Sequence, residues 1–237
     1  VLRVYNRLGR RDNIYKARIK ILVKETGVAR FTEMVESEWA KIKDGPLKLK
    51  PEDLEFIRSR FDEHAYDSSA GNDRSFDQAV ASDSAFAAFV RRNVQEHKVP
   101  GYKAVFISLK AAGIAPGDIT DTQMDAVAAL ADAYSFREIR STHDQNLVLA
   151  EVQQKDVYAV WKALREHGLA TPNIGLLTDL ICCPGLDFCS LANAGSIGVA
   201  EEIMDRFESM DDLYDIGEMK IKMSGCMNGC GHHTVGH

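Results

Sequence analysis

Every cysteine of this 237-residue chain falls in one of two short turns, "ICCPGLDFCS" from Ile181 and "SGCMNGCGHH" from Ser224. The five are Cys182, Cys183, Cys189, Cys226 and Cys230, and the first 181 residues hold no cysteine. This constrains the fold more than any other feature, because the two segments must meet if their sulfurs share a task. Five is an odd number, and no charged n-region with an apolar h-region opens the chain. Both point to a reducing, cytoplasmic setting rather than a disulfide framework. With 45% apolar and 27% charged residues, an ordinary hydrophobic core is available without staples.

Spacing alone leaves three tasks open. Five residues separate Cys183 from Cys189, three separate Cys226 from Cys230, and thirty-six lie between the pairs. Paired zinc ligands prefer roughly two to four intervening residues, which suits the second pair and not the first. A [4Fe–4S] cluster needs four thiolates around a larger object, hence wide turns in which backbone amides approach sulfur. Pro184, Gly185, Gly225, Gly229 and Gly231 supply such turns. Buried, inert thiols are the third possibility, and Cys182 reads as one, a small hydrophobe. His232 and His233 are neighbours that would not readily face one metal, so they read as polar wall residues.

Upstream, helical spacing predicts "VLRVYNRLG", then "NIYKARIKILVKETG" with Ile14, Ala17, Ile21 and Leu22 on one face and Gly27 as its stop. "ARFTEMVESEWAKIKDG" follows with Phe31, Met34, Val35 and Trp39 inward. Between Arg3 and Lys24, eight cations face Asp12 alone, either a solvated helix face or an anion-facing surface. Pro51 opens another helix, residues 62–75 read as a loop, and the Ala-rich stretch to His97 reads as helix from Ser84 at the latest. Next come a strand "YKAVFISLK", a helix "TDTQMDAVAALADAY", strands "FREIRSTH" and "NLVLAEV" joined around His143–Gln145, and a helix "KDVYAVWKALREHG" that Gly168 ends. This β-α-β-β-α order is one ferredoxin-like half-unit, so the fold class is α+β. A helix in "GVAEEIMDRFES" and a short strand in "EMKIKMSG" complete the pattern. A net charge of −6 argues against a general nucleic-acid binder. No apolar run reaches the ~18 residues of a membrane span.

The C-x5-C and C-x3-C pairs, with "GCMNGCG", resemble the signature of siroheme-dependent nitrite and sulfite reductases. "RVYNRLGRRDNIYKARIKILVKETGVARFTEMVE" is similar to the end of that family's first siroheme-domain repeat. "VFISLK…ALADAYSFREIRSTHDQNLVLAEV", with its "TH-x-QNL" turn, resembles the second ferredoxin-like half-domain. The resemblance implies a ferredoxin-like βαββα half-domain (95–170) flanked by portions of two siroheme/iron–sulfur α/β repeats. These are a C-terminal helical end (1–46), a helical linker (47–94) and the start of a second siroheme/[4Fe–4S] domain (171–237). It implies siroheme and a [4Fe–4S] cluster as cofactors. Cys183, Cys189, Cys226 and Cys230 would be the cluster ligands, with Cys230 bridging to the siroheme iron. Arg10, Arg11, Arg18 and Lys20 would meet siroheme carboxylates, alongside the alternative that this helix face merely caps the fold. The implied reaction is six-electron reduction of a small oxyanion, sulfite to sulfide or alternatively nitrite to ammonia. Ferredoxin or a flavoprotein reductase would supply the electrons. Family members are over twice this length, so the chain is expected to be an internal segment and inactive by itself. A non-catalytic, zinc-stabilised module is the competing reading from another class.

Overall fold

The computed structural model describes residues 1–61, 64–71, 73–207 and 209–235. Its contacts divide the chain into two units, Val1–Glu63 and His64–His237.

In the first unit, α1 (Leu2–Leu8), α2 (Ile19–Thr26), α3 (Val28–Ile42) and α4 (Pro51–Arg58) follow one another. Gly27, at φ 78°, both ends α2 and opens α3. Only glycine adopts that conformation without steric cost. Val4, Leu22 and Phe31 form a small core with Tyr5, Ile19, Val23, Met34 and Val35 against it. The helix predicted from Asn13 begins only at Ile19. The Asn13 side chain accepts from the Tyr15 amide at 3.0 Å, and its carbonyl accepts from Lys16 at 3.0 Å. These local bonds compete with helix, so Ile14 stays exposed, as does Trp39 on α3. Pro51 does open α4, with the Asp53 carboxylate accepting from the Lys50 amide at 3.1 Å.

The second unit begins with α5 (Arg74–Ser82) and α6 (Ser84–Asn93), capped by the Asp73 and Asp83 side chains. Of the predicted 62–75 loop, residues 62, 63 and 72 lie outside the described residues. Where sequence periodicity runs helix on to His97, the structure has a strand, β1 (Val94–Glu96). Asn93 ends α6 and turns its side-chain amide to the carbonyls of Phe106 and Thr171, at 3.0 Å each. Then come β2 (Tyr102–Ile107), α7 (Asp121–Tyr134), β3 (Arg140–Ser141), β4 (Leu147–Gln153) and α8 (Val157–Glu166). The sheet is antiparallel throughout in the order β1-β2-β4-β3. β4 lies between β2 and β3, which the α7 crossover joins, the split βαβ arrangement of ferredoxin-like folds. Predicted as a longer strand, β3 spans two residues. Phe136 and Arg137 before it take left-handed φ values of 48° and 66°, with the Arg137 amide bound to the Ala131 carbonyl at 3.0 Å.

One sheet face packs on helices. Val105, Ile107, Leu149 and Val152 meet Phe86, Phe89, Val127, Leu130, Val160, Trp161 and Leu164. At about 25 cal/mol per Å² of apolar surface removed from water, this is the main stabilising contact set of the half-domain. Ala104, Phe106, Val148 and Ala150 line the opposite face. The chain continues through β5 (Ile181–Cys182), α9 (Gly185–Phe188), α10 (Ile197–Arg206), α11 (Met210–Ile216) and β6 (Lys222–Met223). Leu180, Cys182, Ala200 and Met204 form a second core with Ile197, Ile203, Ile221 and Met223.

Candidate metal centre

β5 and β6 pair in parallel, Ile181 beside Lys222 and Cys182 beside Met223. The loops that leave them therefore emerge side by side, although the paired residues are 41 positions apart. The Cys183 amide donates to the Met223 carbonyl at 3.1 Å, and the Asn193 and Ala194 amides donate to Gly225 at 2.8 and 3.1 Å. The Gly225 amide in turn donates to the Cys183 sulfur at 2.9 Å. The Ser196 hydroxyl donates to the Cys183 carbonyl at 2.6 Å.

This closeness depends on glycine. A Cβ on Gly225 would lie 2.7 Å from the Ala194 carbonyl oxygen and 3.0 Å from the Gly185 Cα. One on Gly231 would overlap the Met223 carbonyl. Neither neighbour is a flexible side chain that can swing away.

The two adjacent cysteines differ chemically. Burial pushes the Cys182 thiol up, and its sulfur sits in the apolar core beside Ala200 and Met204. Burial also acts upward on Cys183, but the Gly225 amide, the Ser196 hydroxyl and the Gly185 amide together outweigh it and leave that thiol below its ordinary value. Amide N–H groups aimed at sulfur stabilise a thiolate, the form that binds metal. Cys189 and Cys226 are half-buried, Cys230 is exposed, and all five are free thiols. Thiolates on one tetrahedral zinc lie roughly 3.8 Å apart, from Zn–S distances of about 2.3 Å. Among the described residues, no three cysteine sulfurs come within 4.8 Å of one another. Cys183, Cys189, Cys226 and Cys230 sit on two glycine-lined turns, with the Gly225 amide on the Cys183 sulfur; four cysteine donors are the ligand chemistry of an iron–sulfur cluster.

Beside β6 a groove of about 1200 Å³ runs along the open face of the sheet. Arg91, Arg92, Arg140, Lys220, Lys222 and His233 line it. Lys220 pairs with Asp144 at 2.9 Å, and Arg140 pairs with Glu138 and Glu151, each at 2.9 Å. Sequence reading passed over these cations because they come from distant segments. The Lys-x-Lys of "KIKMSG" (Lys220, Lys222), immediately before the second cysteine turn, was the available signal.

In the first unit the four basic residues singled out from sequence are largely at the surface. Arg10 pairs with Asp12 at 2.5 Å, a contact that raises Arg10 and holds the Asp12 carboxyl down at about 2. Arg11 donates to Asn6 at 3.2 Å and lies over the Tyr5 ring. Arg18 and Lys20 are exposed at the start of α2.

A second cluster joins His64, Glu138 and Glu151, with ligand atoms within 4.8 Å of one another. Arg140 already spans both carboxylates, and Tyr66 and His97 occupy the other Glu151 oxygen, each at 2.9 Å. That saturates the oxygens a cation would need, and the cluster acts as an ion network.

Two family models and several known proteins match parts of the chain. The family model described as a nitrite/sulfite reductase ferredoxin-like half domain matches residues 95–167. The one described as a nitrite and sulphite reductase 4Fe-4S domain matches residues 1–43. Two domain models of nitrite and sulfite reductases thus match separate parts of the chain. It is similar to "Sulfite reductase [ferredoxin] 2" of Mycolicibacterium paratuberculosis, 27% identical over 99% of this chain and 36% of that protein. The chloroplastic ferredoxin–nitrite reductase of Zea mays is 26% identical over 99% of this chain and 35% of its own length. The solved structure of Mycobacterium tuberculosis NirA superimposes with a TM-score of 0.58 at 25% identity, over 94% of this chain and 34% of that one. The chain thus spans about a third of the length of these relatives. The segment matching the 4Fe-4S domain model contains no cysteine. All five cysteines lie outside the residues that the two family models match.

Proposed function

We propose that this chain carries the cluster-binding turns of a siroheme- and [4Fe–4S]-dependent reductase that takes sulfite to sulfide. The observation that carries the reading is the parallel β5/β6 pair, which sets the two cysteine turns side by side with the Gly225 amide on the Cys183 sulfur. Cys183, Cys189, Cys226 and Cys230 would hold the cluster. Cys230, exposed at the end of its turn, would also be reachable by a second iron. When bound, siroheme coupled to the cluster supplies the redox chemistry, in which six electrons and seven protons convert sulfite to hydrosulfide and three waters.

The chain's own residues bind and orient. Arg91, Lys220 and Lys222 along the groove offer cations to macrocycle carboxylates or to an oxyanion. The amides on Cys183 favour its ionised form. Cys182 stays in the core and outside the ligand set. Ferredoxin or a flavoprotein reductase is the donor class, following the relatives named for ferredoxin and NADPH. Nitrite is the second substrate reading, because relatives named for nitrite match as extensively.

Anaerobic purification of the full-length protein to which this chain belongs, followed by iron, sulfide and zinc analysis, visible spectroscopy and turnover with a reduced dye, tests the proposal. Iron with equimolar acid-labile sulfide and a siroheme absorption are expected, with faster turnover of sulfite than of nitrite. A colourless protein carrying zinc and no iron would end it. Faster nitrite turnover would leave the centre and reverse the substrate order.

A further inference from the structure

β5 is a two-residue strand with β6 on one side only. Its other edge is filled by a side chain. The Gln145 carboxamide oxygen accepts from the Cys182 amide at 2.9 Å, and its nitrogen donates to the Cys182 carbonyl at 2.8 Å. That is the pairing a neighbouring strand would offer, delivered across 37 positions of sequence. The peptide plane between Cys182 and Cys183 is therefore held from both sides. Gln145 binds its carbonyl, and the Met223 carbonyl takes its N–H at 3.1 Å. With that plane fixed, only rotation about φ and χ1 of Cys183 can redirect its sulfur.

The turn that presents Gln145 is itself tightly built. The Thr142 amide donates to the Asn146 carbonyl at 2.8 Å, and the Asn146 amide donates to the Thr142 hydroxyl at 3.0 Å. Gln145 takes a left-handed φ of 58°, an uncommon conformation for a glutamine. Gly117 leaves room for it, since a Cβ there would lie 3.3 Å from the Gln145 Cβ. Nothing in the half-domain core requires this side chain to point toward β5.

We propose that Gln145 is the positioning residue of the first cluster-ligand turn: its carboxamide stands in for a strand and fixes the peptide plane from which Cys183 presents its sulfur. The role rests on the cofactor reading above, and it makes the half-domain turn, rather than the cysteine segment alone, responsible for cluster geometry.

Two substitutions separate the hydrogen bonds from the backbone. Gln145→Asn suits a left-handed residue but is one carbon too short for the clamp. Gln145→Met keeps the length and lacks both polar atoms. Hydrogen exchange on the full chain should show the Cys182 amide opening roughly tenfold faster in both variants, with the α8 core amides unchanged. Cluster release to a ferrous chelator should also speed up roughly tenfold, and the electron paramagnetic resonance g-values of the reduced cluster should move. A wild type that binds no cluster overturns the cofactor reading and this role together. A wild type that holds its cluster, with both variants matching it in release rate and g-values, overturns the positioning role alone.

Discussion

Lys110 and Asp179 form an ion pair at 2.8 Å with both side chains out of contact with water. Asn146 binds both, accepting from the ammonium and donating to the carboxylate at 2.9 Å each. The Gly175 amide adds a donor to Asp179, also at 2.9 Å, and the Asp144 carbonyl accepts from Lys110. This network joins the end of β2 and the turn of Gln145 to the segment that leads into β5. Burial pushes the Lys110 ammonium below its ordinary value, and Asp179 is the chief influence in the other direction.

Removing one member of such a pair strands the other charge, which costs about 3–5 kcal/mol. Lys110→Met and Asp179→Asn should each destabilise by that order in denaturant unfolding. The double variant should lie closer to wild type than either single, because no unpaired charge is left. Additive costs would show that the two residues act independently.

The five cysteines should fall into two classes. Serine at Cys183, Cys189, Cys226 or Cys230 should remove the cluster, since a hydroxyl is a poor ligand for a soft metal. Cys182→Ser should keep the cluster and cost on the order of 1–3 kcal/mol for an unpaired buried hydroxyl. Iron content read beside the unfolding midpoint separates the classes. An essential Cys182 with a dispensable Cys183 would shift the ligand assignment by one residue.

Much of this centre was legible because its chemistry is local. Cys226 and Cys230 share one turn with the glycines that shape it, and the α7 and α8 helices carry their apolar faces at plain helical spacing. What sequence did not disclose depends on partners far along the chain. β1 is three residues long and exists because Val94 meets Val105. Ile14 fits a helical pattern, yet the neighbouring Asn13 side chain settles a turn instead. The "TH-x-QNL" turn is recognisable by resemblance, but nothing in its residues announces that Gln145 reaches Cys182 or that Asn146 reaches Asp179.

Tyr66 gives the ion network around Glu151 a defined response to alkali. Its hydroxyl donates to Glu151 at 2.9 Å. Its pKa is pushed up to about 12, first by burial and then by that carboxylate. An unfolded tyrosine ionises near ~10, so in the window above that value the folded chain keeps a proton the unfolded chain has lost. The stabilisation is therefore complete below about pH 10 and disappears as pH rises toward about 12. Denaturant midpoints of wild type and Tyr66→Phe should converge across that window. A constant difference would place the alkaline response elsewhere.

Gly225 is the position at which the two cysteine turns either meet or part. A methyl group there would press on the Ala194 carbonyl and the Gly185 Cα, both backbone atoms of the facing turn. Relief requires the turns to separate, which breaks the amide contact to the Cys183 sulfur and the two bonds that the Gly225 carbonyl accepts. Gly225→Ala should therefore abolish cluster uptake while the half-domain, whose core lies among β2, β4, α7 and α8, unfolds at its usual denaturant concentration. Gly195→Ala is the matched control, because an added Cβ there meets nothing within 4 Å. It should bind the cluster as wild type does. Equal cluster content in the two variants, measured as iron and sulfide per chain after anaerobic reconstitution, would mean that the turns need not be in contact for the ligands to assemble.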